Sequence, residues 1–218
     1  MGEAEIITNR QQLVIHSLLF FYGDAADDGL ATQVAKDIAD HWNEPDVTAT
    51  IDKKPYRIVF DIQGNWHPAL TPEMVFENDN PRNNYFRIEE FALGNISFVD
   101  GQPCNTGYFK LENLLYNSTT AAHEYGHTLG LPHPTNLDIR GKGQPGIMYP
   151  RGTICDPAFQ YDPLAAPGAK GGTLTPFKRK VLPSDIELLK LHRLRFSTGR
   201  AVIGGFSSVF HNRHSPAG

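Results

Sequence analysis

No stretch of about 18 consecutive apolar residues occurs in this chain, so no membrane-spanning helix is expected from it. Nor is there an excess of positive charge. The 20 Lys and Arg stand against 24 Asp and Glu, a formal net charge of −4, which gives no electrostatic reason to bind nucleic acid or an anionic membrane. No internal repeat is visible. Cysteine is scarce, with only Cys104 and Cys155. What remains is ordinary for a globular protein: 40% hydrophobic and 20% charged residues over 218 positions fit one domain with a sizeable core, or one domain and a short tail.

The longest apolar run, Leu13–Phe21, could imitate a signal-peptide core. Yet Glu3 and Glu5 precede it with only Arg10, where a basic segment belongs, and Tyr22-Gly23-Asp24 follows where small residues would mark cleavage. It is read as a buried strand. The chain is then expected to be a mature form without its leader, or a protein exported by another route.

Against this plain background one string stands out. Residues 123–133 read HEYGHTLGLPH, which supplies His123, Glu124, His127 and His133 in the order H-E-x-x-H-x-x-G-x-x-H. On a helix, positions i and i+4 share a face, so His123 and His127 can aim ring nitrogens at one ion. Gly130 tolerates the left-handed backbone that ends a helix and lets the chain turn back, which brings His133 to the same ion. Three neutral imidazoles and an open position describe a catalytic zinc site and not a closed structural one. Glu124 is placed to take a proton from a water on that ion. The flanks agree with a helix here: Ser118, Thr119 and Thr120 offer capping hydroxyls, and Ala121, Ala122, Leu129 and Leu131 offer apolar packing. A chance H-E-x-x-H on a solvated helix is the rival reading, and the added glycine and third histidine weigh against it.

Fifteen residues beyond His133 lies Met148, within GIMYP. Alone it would be ordinary core filling. The long histidine motif followed by a methionine-containing turn resembles the metzincin zinc metallopeptidases. The resemblance implies an α+β zincin fold, a mixed twisted sheet with an active-site helix and a C-terminal helix flanking a cleft. It implies His123, His127 and His133 as metal ligands to one catalytic zinc, Glu124 as catalytic base, and Met148 in a tight turn that floors the metal. Met148-Tyr149-Pro150 is similar to the matrixin form of the turn, and Pro134 is similar to the serralysins. Pro150 stands where some metzincins carry a ligating tyrosine, so no further ligand is expected there. No PRCGxPD-like segment precedes the motif, no glycine-rich calcium repeats follow it, and the matrixin structural-zinc histidines have no match.

The resemblance also places the segments around Cys104 and Cys155 near the cleft rim. A bridge between them would close a loop of about 50 residues and stabilise by about 4 kcal/mol on chain-entropy grounds. Two unpaired thiols are the alternative, and Cys104 as an inhibitory thiolate is a third.

Along the chain, Gln11–Tyr22 reads as a strand. Asp27 or Asp28 caps a helix to about Asn43 with Leu30, Val34, Ile38 and Trp42 on one face. Val47–Ile51 and Tyr56–Ile62 read as strands. Gln63–Asn84 reads as a polar loop; structural calcium is possible there, but Glu73, Glu77 and Asp79 follow no recognisable calcium-loop spacing. Asn84–Phe91, Ile96–Asp100 and Tyr108–Leu111 are further strands. One of them should be the cleft's edge, where an extended peptide could add by main-chain hydrogen bonds. Arg151–Pro183 is rich in Pro and Gly, and the resemblance makes it the wall of the primed-side pocket. Pro183 or Ser184 opens a helix to about Arg195, with Ile186, Leu189 and Leu194 apolar and His192 a surface or packing residue. Residues 1–195 are thus expected to form one metalloprotease catalytic domain, and residues 196–218 a mobile C-terminal tail.

The function expected is a zinc-dependent endopeptidase that hydrolyses peptide bonds with a zinc-bound water and Glu124 as general base. It would act on a polypeptide substrate, as an exported monomer, without nucleic-acid or membrane partners. Three alternatives stay open: a secreted or injected protease effector of narrow specificity, a zinc-holding binding module without turnover, and a precursor masked by its N-terminal residues.

Overall fold

The computed structural model, which describes residues 1–215, is organised around the apolar strand near the start of the sequence. In chain order the strands are β1 (Gly2–Ile7), β2 (Gln12–Tyr22), β3 (Thr48–Ile51), β4 (Lys54–Trp66), β5 (Asn83–Glu89), β6 (Phe98–Val99), β7 (Thr106–Lys110) and β8 (Arg200–Ile203). The helices are α1 (Asp28–Asn43), α2 (Pro72–Phe76), α3 (Thr120–Thr128) and α4 (Pro183–Leu188), with short 3-10 turns between. The fold class is mixed α+β, an open sheet of order β3-β4-β2-β5-β7-β6 with few helices.

Strand β2 is long enough to serve three partners. Along one edge it pairs in parallel with β4, from Gln12 opposite Arg57 to Phe21 opposite Trp66. Its other edge is shared: Gln12–His16 pair antiparallel with β1, and Leu18–Tyr22 pair in parallel with β5. Leu13, Ile15, Leu19 and Phe21 are buried, as a central strand covered on its face by a helix requires.

That cover is α1. Asp27 caps it, accepting from the Leu30 N–H at 2.7 Å, and Val34, Ala35, Ile38 and Trp42 form the buried face. The helix lies very close to β4 at Gly64. A Cβ there would run into the Ala31 carbonyl oxygen and sit 3.0 Å from Ala35 Cβ. Because both neighbours are on a packed helix, Gly64→Ala is expected to destabilise by about 1–3 kcal/mol through overpacking. Urea unfolding measures this, and an unchanged midpoint would contradict the close approach.

Trp42 fastens α1 to α3. Its Nε1–H donates to the Ala122 carbonyl at 3.0 Å, and its ring meets Tyr125 edge-on at 5.7 Å between centroids. Tyr125 in turn exchanges a 2.8 Å hydrogen bond with Ser17 of β2. Two residues outside the metal motif thereby lock its helix against the sheet.

Several elements depart from the sequence expectation. Strands β1 and β8 were not foreseen, and they pair with each other, Gly2 opposite Ile203 through Glu5 opposite Arg200. Strand β8 is short and gains its partner only from the far end of the chain, while β1 lies between β8 and β2. The described part of the segment set apart as a tail, residues 196–215, is therefore seated on the sheet: Phe210 stacks on Tyr22 at 5.1 Å and His214 on Tyr108 at 4.0 Å, while His211 Nε2 bonds Asp100 Oδ1 at 2.7 Å. Helix α4 stops at Leu188 and not near Arg195, because Lys190 takes a left-handed φ of 51° and turns Leu191 inward. In the polar loop, where α2 was not expected, the Asn78 and Asn80 side-chain oxygens accept from neighbouring amides in the same loop. Cys104 and Cys155 are free and buried apart. Cys104 Sγ lies 3.2 Å from Thr106 Oγ1, whereas Cys155 packs with Ile139 and Leu174, so the bridge that the resemblance allowed is not formed.

Candidate metal centre

Helix α3 carries His123, Glu124 and His127 on buried positions and ends where glycine permits it. Gly130 has φ +97°, its N–H donates to the His127 carbonyl at 3.0 Å, and the Leu131 N–H reaches back to the Gly126 carbonyl at 3.0 Å. This paired closure is the Schellman arrangement, and it folds residues 131–133 back over the helix end. His133 is thereby delivered to the two helical histidines.

The three Nε2 atoms lie 3.0, 3.2 and 3.1 Å apart in the pairs His123–His133, His123–His127 and His127–His133. These are not hydrogen bonds among neutral rings. His123 Nδ1 is 2.7 Å from the Ile147 carbonyl and His127 Nδ1 is 2.7 Å from the Leu131 carbonyl, so each of these rings carries its one proton on Nδ1 and turns a lone pair inward. Lone pairs so close repel one another unless a cation lies between them. Ligands at the usual zinc–nitrogen distance in tetrahedral array would be separated by about 3.3 Å, close to the spacing found. Burial first holds all three imidazoles below the usual histidine range, with the Arg179 charge acting on each and neighbouring rings acting on His123 and His127; His127 is lowered to about 4. Near neutral pH they are therefore in the unprotonated form that binds metal. His123, His127 and His133 are the one group of convergent His, Cys, Asp or Glu ligands among the described residues.

Glu124 is 6% exposed and lies in the same cleft. Burial raises its carboxyl to about 8, opposed by Arg179, Arg151 and the Val99 backbone N–H. A divalent cation at the imidazoles would oppose the rise further.

Met148 is 1% exposed, in a turn closed by the Tyr149 N–H on the Gly146 carbonyl at 3.3 Å. The turn meets α3 in two places. Its Ile147 carbonyl receives His123, and its Met148 thioether fills the space left by Gly126, where a Cβ would overlap Sδ and lie 3.2 Å from Trp42. The importance of Gly126 was not visible in the sequence, because it depends on a residue in a different segment.

Three other residues at the site were also missed. The Gln102 amide lies 2.7 Å from His127 Nδ1; since that N–H is present, the amide oxygen is the atom that belongs there. Arg151 and Arg179 line the cleft, which has a volume of about 440 Å³. Arg151 directly follows the methionine turn, which was a signal of proximity. Arg179 sits in a Lys-Arg-Lys run that reads as a solvated surface, yet it is only 4% exposed. Of the hydroxyls expected to cap α3, Ser118 Oγ accepts from the Thr120 N–H at 3.3 Å, whereas Thr119 serves Arg179. Thr119 makes no side-chain cap; its Oγ1 accepts from Arg179 Nε at 2.9 Å and donates to the Pro176 carbonyl.

The far rim of the cleft is β6 with the residues before it, Ile96 to Val99. Strand β6 pairs only with β7 and closes the sheet, so its outer edge faces the metal helix. His192 lies elsewhere, in a groove of about 370 Å³ between β3 and α4.

No family model matches the chain, and no curated protein matches it. Among solved structures it is similar to the archaemetzincin of Methanopyrus kandleri, with 16% sequence identity and a TM-score of 0.38 over 81% of this chain and 95% of that one. A likeness at that level carries no argument about chemistry, which rests here on the side chains themselves.

Proposed function

We propose that this protein is a zinc-dependent endopeptidase of the metzincin kind. The observation that carries the reading is the inward convergence of three unprotonated Nε2 atoms beside a buried glutamate in an open cleft. His123, His127 and His133 would hold the zinc, and Met148 would floor it from the turn beneath. When bound, zinc supplies Lewis-acid chemistry, acidifying a water and polarising the peptide carbonyl. Glu124 takes the proton of the attacking water and passes it to the leaving nitrogen. The outer edge of β6 offers main-chain groups to an extended polypeptide, which would hold the scissile bond over the histidines. Residues 1–195 would supply all of these parts, in a protein acting as an exported monomer. Met148-Tyr149-Pro150 keeps the matrixin form of the turn, and that sequence is what supports a matrixin-like reading.

The test is cleavage of a reduced, denatured protein mixture, read by mass spectrometry, with chelator and with zinc restored. Cuts that vanish with chelator and return with about one equivalent of zinc are expected. Zinc retained with no cuts at all would count against a general peptidase and favour a single-target effector or a binding module.

A further inference from the structure

The mechanism above leaves two cations in the cleft without a task. Arg179 is fixed at both sides of its guanidinium by neutral acceptors, Nε by Thr119 Oγ1 at 2.9 Å and Nη1 by the Tyr149 carbonyl at 3.1 Å. Arg151 is likewise held by a neutral group, its Nη2 donating to Asn113 Oδ1 at 2.9 Å. Among the described residues no carboxylate forms an ion pair with either one. These bonds orient the forks without neutralising them. Thr119 is also the N-cap of α3, so Arg179 stands at the positive end of the metal helix, where a buried cation is least welcome. Glu124 in the same cleft feels both charges, but one carboxylate against two guanidiniums leaves a positive excess, and an incompletely countered buried charge is costly to keep in a fold. The fixed positive charge of two guanidiniums and a helix end is therefore arranged for an anion that arrives from outside. The anion that polypeptides offer is the carboxylate, which the guanidinium fork matches in shape and charge.

We infer that Arg151 and Arg179 form a carboxylate-binding subsite beside the histidine triad, so that the substrate is a polypeptide presenting an Asp or Glu side chain, or its own C-terminal carboxylate, next to the scissile bond. This rests on the triad being the place of cleavage. Removing one partner of a buried, hydrogen-bonded charge pair weakens the interaction steeply, so a neutral peptide should be worse by about 100-fold.

The test uses one short alanine- and leucine-containing peptide in three forms: the C-terminal acid, the carboxamide, and carboxamides with a single Asp moved along the chain. Binding is read by fluorescence anisotropy on zinc-loaded Glu124→Ala protein, and kcat/KM on quenched versions with Glu124 in place. The acid form, or the form with Asp at one fixed position, is expected to be favoured by about 100-fold in both readouts. The winning form tells an internal side chain, as an endopeptidase would read, from a terminal carboxylate, which would replace the endopeptidase reading with a carboxypeptidase one. Arg179→Lys, which keeps the charge and loses the fork, and Arg151→Gln should bring the preference close to unity. Arg151 is half-buried, so its variant serves if Arg179→Lys does not fold. Equal binding and cleavage of neutral peptides would overturn the subsite, as would an equal loss for every peptide in the arginine variants. Carboxylate-selective binding without any cleavage would keep the subsite and overturn the peptidase reading. No binding of any peptide would overturn both.

Discussion

Glu124→Gln is expected to lower kcat/KM for peptide cleavage by about 1,000-fold or more, within the range that a positioned acid–base group contributes, while the protein still carries its metal. The amide keeps the shape of the carboxyl and cannot accept a proton. Glu124 makes none of the bonds that orient the ligands: His123 is set by the Ile147 carbonyl and His127 by the Leu131 carbonyl. Quenched-peptide kinetics beside elemental analysis of the same samples give both numbers. Activity within tenfold of the parent would remove Glu124 from the mechanism, and loss of zinc along with activity would make it a structural support of the site.

The second large effect concerns stability. Three inward lone pairs at about 3 Å are a repulsive arrangement that a cation would relieve, so the folded protein is expected to bind metal and the unfolded chain to do so far less. With free zinc about 1,000 times above its dissociation constant, linkage stabilises the fold by about 4 kcal/mol. For a chain of this size that is about 8–16 °C in Tm. Chelator should therefore lower the thermal midpoint by about this amount, and zinc should restore it. His127→Ala should start low and respond to neither. A midpoint in the parent that is indifferent to chelator and zinc would mean that the triad holds no metal in solution.

Much of the site was legible because its logic is local. The i, i+4 spacing of His123 and His127 and the glycine that releases His133 are both consequences of helix geometry, and a single string of residues contains them. The cap at Asp27 and the apolar face of α1 were legible for the same reason. What escaped depends on contacts between distant segments. Strand β8 has four residues and exists because β1 offers it an edge. Gly126 matters because Met148 occupies the space its missing Cβ leaves. Arg179 lies between two lysines and shows no apolar neighbour to suggest burial, yet Thr119 and the Tyr149 carbonyl draw it inside. Thr119 was assigned to capping on propensity, and the demand of that arginine overrode it, while Ser118 kept a bond to the first turn.

The most direct measurement is the metal content of the folded protein by native mass spectrometry, for the parent beside the His123→Ala, His127→Ala double variant, after exposure to zinc and removal of the excess. One zinc per parent chain and none in the variant is the expected result. A parent without metal, or a variant that keeps it, would contradict the assignment of His123, His127 and His133 as a metal centre, and the peptidase mechanism with it.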